Sequence, residues 1–166
     1  MNLLRRLCVV VALLVLGFEV LAQDLPSTSL YKQAVAVVEK YKGEKGVKAF
    51  VADEGFMLRT VKMMLRKEFG RDFVDNIELF AVMFYKDVKG DVEHRIVEDI
   101  KQMATTLQEV DISSQLKPEE RGRGFIRFSE DKEHLTDLLI VTEAPVPKFI
   151  YFGGNFKAEK IRFVER

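Results

Sequence analysis

The eight-residue segment 121–128 carries the residue types best suited to recognising a ligand. It reads Arg-Gly-Arg-Gly-Phe-Ile-Arg-Phe and matches an RNA-recognition strand pattern at seven of eight positions. The mismatch is Arg123, which stands where an aromatic ring should stack on a base. A charged turn and two more strand-like segments follow, where the RNA-binding module needs a helix. The segment therefore predicts a β-strand and no nucleic-acid partner.

Two histidines outside the amino-terminal region are candidates for metal binding. His94 lies one helical turn before Glu98, and His134 follows a short acidic run of Glu130, Asp131 and Glu133. Neither histidine shows the paired-histidine spacing of a zinc site, and the acidic run lacks the oxygen pattern of a calcium loop. Both are interpreted as solvated polar residues, and no metal site is expected.

The remaining chemical motifs are weak. Gly153-Gly154-Asn155 resembles a phosphate loop but lacks the Gly-Lys-Ser/Thr ending, so a bulge or tight turn after a strand is expected. No serine has the context of a nucleophile elbow. The carboxylate pairs Asp53-Glu54 and Glu119-Glu120 are adjacent in loops rather than on facing elements. The sequence predicts no catalytic residue and no cofactor, and a small hydrolase-like enzyme stays open as the alternative function.

The amino terminus has the three parts of a cleavable signal peptide. Arg5 and Arg6 precede an uncharged apolar run over 7–17, and Val20-Leu21-Ala22 fits a cleavage site. The run is too short for a membrane span, which needs about 20 apolar residues. The sequence thus predicts a signal peptide at 1–22, a loose segment at 23–29 and a periplasmic or secreted protein. The single cysteine, Cys8, lies inside the apolar run, so neither a lipid anchor at the cut nor a disulfide is expected.

The charge balance of the chain gives no reason to expect a polyanionic partner. The chain has 26 basic and 26 acidic side chains, and cleavage would remove Arg5, Arg6 and Glu19, which leaves a net charge of −1. Such a balance lacks the basic field that drives nucleic-acid or membrane-surface binding. No membrane span is expected in the mature chain.

The spacing of apolar residues predicts an α+β fold. Helical spacing and alternating or continuous apolar runs mark three helices and five strands. The helices are expected at 30–41, 57–69 and 96–110, and the strands at 47–52, 77–85, 124–129, 135–143 and 148–152. Helices in the first half and strands at the end indicate one largely antiparallel sheet with about three helices packed on one face. Residues 30–166 are expected to form a single domain.

The order of these features resembles a known family. The carriers of the resemblance are the signal peptide, Glu39-Lys40-Tyr41 before Gly46-Val47, the methionine-rich helix, and 138–141 followed by Phe-Ile-Tyr-Phe-Gly-Gly-Asn-Phe at 149–156. Together they resemble the exported Bacteroidetes-type proteins grouped as domain of unknown function 4252. The resemblance covers roughly residues 30–163. It implies a cell-envelope location in a Gram-negative bacterium and supplies no catalytic residue.

The strand alternation predicts one candidate interaction surface. Successive side chains of a strand point to opposite faces, and two arginines are costly to bury. Ile126 and Phe128 are therefore expected to face the helices. The outward residues form an aromatic and basic patch: Arg123, Phe125, Arg127, Phe149 and Tyr151. The chain is thus expected to be a non-enzymatic binding protein with a protein partner or a second copy of itself, unless a carboxy-terminal segment through Ile161 and Phe163 covers the patch.

Overall fold

The computed structural model describes residues 29–157, with the side chains of residues 29, 68 and 115 excepted. The helices in this part are α1 Ser29–Tyr41, α2 Gly55–Phe69, α3 Arg71–Asp75 and α4 Asp91–Ala104, with a 3₁₀ turn at Ser113–Gln115. The strands are β1 Lys48–Ala52, β2 Ile77–Phe84, β3 Gln108–Val110, β4 Arg121–Phe128, β5 His134–Ala144 and β6 Lys148–Lys157. The expected signal peptide, most of the expected loose segment, and Ile161 and Phe163 lie outside the described residues.

The strands form one six-stranded sheet in the order β1-β2-β6-β5-β4-β3. Each neighbouring pair is antiparallel, and β6 enters the middle of the sheet between β2 and β5. The predicted α+β class with an antiparallel sheet is confirmed. No helix within residues 29–157 has the length and apolar character to cross a membrane.

The helices cover both faces of the sheet, so the expectation that they pack on one face is wrong. Residues of α1 and α4 pack with one set of strand positions, which includes Leu79, Ala81, Met83, Leu139, Phe149 and Tyr151. Residues of α2 and α3 pack with the alternate set, which includes Phe80, Val82, Leu138, Ile140, Ile150 and Phe152. The physical reason is the composition of the central strands, because β2 and β6 carry large apolar side chains on both faces and both must leave water.

The third predicted helix ends earlier in the chain than its apolar spacing predicted. The structure ends α4 at Ala104, and Val110 lies in the short edge strand β3 instead of in the helix. Thr105 and Thr106 follow the helix, and their hydroxyl groups donate to the carbonyl oxygens of Gln102 and Met103. These local bonds compete with continuation of the helix. The apolar positions at 96–110 therefore belong to two elements, the helix α4 and the strand β3.

One ion pair is buried where β6 begins. Lys148 is 2% exposed, and its Nζ lies 3.2 Å from Oε1 of Glu120 in the loop before β4. Burial favours the protonated form of Glu120. The N–H of Lys117 and the ammonium of Lys148 outweigh burial and hold the pKa of Glu120 below its ordinary value. The pair fixes the loop before β4 against the centre of the sheet.

Candidate interaction site

The structure separates the five residues of the predicted patch into two groups. Phe149 and Tyr151 of β6 are both 0% exposed, because α1 and α4 lie over this part of the sheet. Their expected exposure is therefore wrong. The alternation itself is confirmed, since Ile126, Ile150 and Phe152 are buried on the opposite face.

Strand β4 keeps an open face on the side of α1 and α4. Arg123 is exposed, and Phe125 and Arg127 are partly buried. Phe125 contacts the core that α4 forms with the sheet only from its margin. Within residues 29–157, α1 contacts β1 and β2, and Leu139 of β5 is buried in the same core as Phe149 and Tyr151 of β6, whereas Phe125 of β4 is only partly buried against it. The predicted surface therefore exists at the β4 residues alone.

A groove runs between α4 and the open faces of β4 and β5. Its volume is about 220 Å³. Its walls are mainly apolar, and they are completed by a few polar side chains at the rim. The lining residues are Tyr85, Val97, Ile100, Lys101, Ala104, Thr105, Arg123, Phe125, Val141 and Glu143. We call this feature the α4 groove. It brings Arg123 and Phe125 of the predicted patch together with α4 residues that the sequence did not single out.

The charged groups at the rim of the α4 groove are paired. Arg123 donates to Glu143 across the strands at 3.2 Å, and Lys101 donates to Glu98 one turn earlier on α4 at 2.9 Å. Tyr85 lies at one end of the groove. Burial, with a contribution from the Glu143 and Glu93 carboxylates, raises the pKa of Tyr85 to about 12. The Tyr85 hydroxyl therefore stays protonated at neutral pH and can donate a hydrogen bond.

Arg127 belongs to a different polar cluster beneath α1. The hydroxyl of Tyr151 donates to Oδ1 of the buried Asp137 at 2.5 Å, and the Thr136 hydroxyl donates to Oδ2 at 2.7 Å. Nε of Arg127 lies 3.6 Å from the same Oδ2. Burial and the adjacent Asp137 raise the pKa of Tyr151 far above its ordinary value, so the phenol remains a donor. The cluster holds Arg127 against the sheet and supports the core.

Tyr31 of α1 approaches the same cluster from above. Its ring centroid lies 6.5 Å from that of Tyr151, and its buried hydroxyl has no hydrogen-bond partner within the part of the chain that the structure describes. Burial raises the pKa of Tyr31 well above its ordinary value, and the nearby Asp53 and Glu54 carboxylates act in the same direction. Such a group is costly, since a buried hydroxyl loses its bonds to water.

The acidic run before His134 forms the turn between β4 and β5. Ligand atoms of Asp131, Glu133 and His134 lie within 4.8 Å of one another. Oδ1 of Asp131 already accepts hydrogen bonds from the Ser129 hydroxyl and the N–H of Glu133, which hold the pKa of Asp131 below its ordinary value. These bonds explain the grouping as the closure of a tight turn.

The other motifs also have structural roles. Gly153 and Gly154 lie within β6 rather than after a strand, at shifts of register against β2 and β5. A side chain at Gly154 would place its Cβ 2.1 Å from the carbonyl oxygen of Asn76, so this close approach requires glycine. The expected bulge is therefore present inside the strand. On α4, His94 and Glu98 are exposed, and Glu98 pairs with Lys101 instead.

The α4 side of the groove is the part that sequence reasoning missed. Val97, Ile100 and Ala104 recur at helical spacing and read as ordinary core positions. The fold shows that these three residues of α4 also line the groove beside β4 and β5. No signal in the sequence distinguishes them from other core positions.

Comparison of this chain with protein-family models, with curated proteins and with solved structures finds no match.

Proposed function

We propose that the protein is an exported, non-enzymatic binding protein of the cell envelope that captures a protein partner through the α4 groove. The observation that carries the proposal is the apolar groove itself, walled by Phe125 and Val141 on the sheet and by Val97 and Ala104 on α4. Its volume of about 220 Å³ suits one large apolar side chain rather than a whole drug-sized ligand. Anchor side chains that enter such pockets supply most of the binding energy of many protein interfaces.

The rim supports binding more than catalysis. Arg123 of β4 pairs with Glu143 of the neighbouring strand β5, and Lys101 pairs with Glu98 one turn earlier on α4. A general acid or base must lie within hydrogen-bond reach of a substrate and be free to exchange a proton with it. The charged groups of these two pairs are instead bonded to each other. They can instead orient a partner through hydrogen bonds around the apolar anchor. The resemblance to the family of domain of unknown function 4252 implies a location in the cell envelope and supplies no catalytic residue.

Filling the groove is expected to abolish binding of an aromatic side-chain probe. N-acetylphenylalaninamide should shift the NMR signals of groove residues such as Val97, Ala104 and Val141, with a Kd on the order of 1 mM. Ala104→Leu places a larger side chain in the groove and should remove these shifts. Ala36→Leu makes the same chemical change on the exposed surface of α1 and should leave them intact. Shifts spread over the molecule, or shifts that survive in Ala104→Leu, would contradict the proposal.

Export makes a separate prediction. When the full chain is expressed in a Gram-negative host, cell fractionation should recover the protein outside the cytoplasm. Amino-terminal sequencing should then begin at or near Gln23, because cleavage is expected after Ala22. A cytosolic product that keeps Met1 would refute export while leaving the groove proposal to its own test.

A further inference from the structure

Helix α2 presents a face that the rest of the described chain does not cover. Phe56 is 74% exposed and Met63 is 68% exposed, and they are the exposed large apolar side chains of residues 29–157. The two residues lie two turns apart, about 10 Å along the helix, on the same side. Arg59 and Lys67 are exposed at matching helical spacing. We call these four residues the outer stripe of α2.

The opposite side of α2 is fully used in folding. Val61 and Leu65 are buried against the sheet. Lys62 Nζ donates to the Asp75 carbonyl oxygen at 3.0 Å, and Arg66 donates to the Asp75 carboxylate at 2.5 Å. The helix is thus held from one side and tied to α3 at its end. Phe56 and Met63 contribute little to this packing, so stability does not account for their apolar character.

The outer stripe is locally basic. Helix α2 contains four basic side chains and one acidic one, Glu68, and two of the basic ones, Lys62 and Arg66, bond to Asp75. The other two, Arg59 and Lys67, form no ion pair with the side chains that the structure describes. Apolar side chains interleaved with such cations are more stable at the interface of an anionic lipid layer, where charged headgroups adjoin apolar acyl chains, than in water.

Three kinds of occupant differ in how they fit the outer stripe. A second copy of the chain would bring Arg59 and Lys67 against the same cations, and like charges oppose such contact. A protein partner needs a contact of about 1,200 Å² or more with complementary shape, and a convex helix face with two large apolar side chains offers little of either. A lipid surface needs no complementary shape and supplies both phosphates and an apolar interior.

We propose that the outer stripe of α2 docks on an anionic lipid surface. Phe56 and Met63 enter the boundary between headgroups and acyl chains, while Arg59 and Lys67 contact lipid phosphates. The docking is peripheral and reversible, since two apolar side chains are few. The α4 groove lies on the other side of the sheet, so the protein can hold a partner there while α2 rests on the membrane.

Sedimentation of the protein with phospholipid vesicles tests the proposal. Vesicles of phosphatidylcholine with equimolar phosphatidylglycerol should bind the protein, and vesicles of phosphatidylcholine alone should bind it at least about tenfold more weakly. Binding should fall as salt is added, because screening weakens the contacts of the cations. Phe56→Ser with Met63→Ser should lower binding about tenfold, and Arg59→Gln with Lys67→Gln should lower it by a similar factor.

The matched control is Lys86→Gln with Lys89→Gln, which removes two exposed cations from the loop before α4. This variant should bind like the unchanged protein, and each variant should keep its melting temperature because the replaced side chains are exposed. Three results would overturn the proposal: equal binding to neutral vesicles, equal loss in the control variant, or binding that does not depend on Phe56 and Met63. Tighter binding to polyglutamate in solution than to the vesicles would also overturn it and would identify an acidic protein as the occupant.

Discussion

Replacement of Glu120 by alanine is expected to lower the free energy of unfolding by about 4 kcal/mol. The variant removes the carboxylate that the ammonium of Lys148 contacts in a buried site. Charge without its counter-ion in such a site costs far more than the intact pair contributes. Urea unfolding followed by circular dichroism measures the change.

A double variant separates this cost from the loss of packing. Glu120→Leu with Lys148→Met replaces both charges by apolar groups of similar size, and most of the lost stability should return. The recovery arises because neither charge then remains in the buried site. A double variant as unstable as Glu120→Ala would show that the charges themselves, through further contacts, hold this part of the fold.

The same pair predicts a direction of pH dependence. The folded pKa of Glu120 is below its ordinary value of 4.5, so the unfolded chain takes up this proton at higher pH than the folded protein does. The contribution of Glu120 is therefore complete above the unfolded pKa and is lost as the pH falls through the folded pKa. The difference in stability between the unchanged protein and Glu120→Ala should be constant near neutrality and should shrink in acid.

The sequence predicted the elements well because their signals are local. The apolar positions of α1 recur at helical spacing, and β2 is an almost continuous apolar run over Ile77–Phe84. Glycines and prolines marked the ends of several elements. The error at α4 arose where two elements adjoin, because an apolar position at a helix end and one at a strand start can fall on the same period.

The layers of the fold depended on information that is not local. The apolar run of β2 already indicated a strand buried on both faces, which is incompatible with helices on one face only. The choice of face for each helix follows from the crossovers that join β1 to β2 through α2 and α3, and β2 to β3 through α4. Strand order decides these crossovers, and β6 reaches the centre of the sheet from the end of the described chain. Local patterns do not encode that placement.

The candidate site shows the same limit. Alternation along β4 and β6 correctly placed Phe125, Phe149 and Tyr151 on one face of the sheet. Whether that face meets water depends on the strand, because α1 and α4 cover β6 and leave β4 open. The sequence could therefore identify the face but not its covered part. The buried contact between Lys148 and Glu120, 28 residues apart, was equally invisible without the fold.

Replacement of Tyr151 by alanine is expected to cost about 4 kcal/mol, whereas replacement of Phe125 by alanine should cost about 1 kcal/mol. Tyr151 is 0% exposed beneath α1, and its removal leaves a cavity in the core. It also removes the hydroxyl that donates to Asp137, so a buried carboxylate loses one of its donors. Phe125 is partly exposed in the wall of the α4 groove, where water can replace the lost ring.

Tyr151→Phe divides the larger effect into its parts. It keeps the ring and removes the hydroxyl, and it should cost about 1–2 kcal/mol through the lost bond to Asp137. Thermal unfolding of the three variants under identical conditions gives the order Phe125→Ala, Tyr151→Phe, Tyr151→Ala from the smallest to the largest loss. If Phe125→Ala were instead as destabilising as Tyr151→Ala, Phe125 would be a core residue and the α4 groove would lose its principal wall. A small loss of stability for Phe125→Ala, together with weaker binding of N-acetylphenylalaninamide, would show that the Phe125 ring contributes more to binding than to folding.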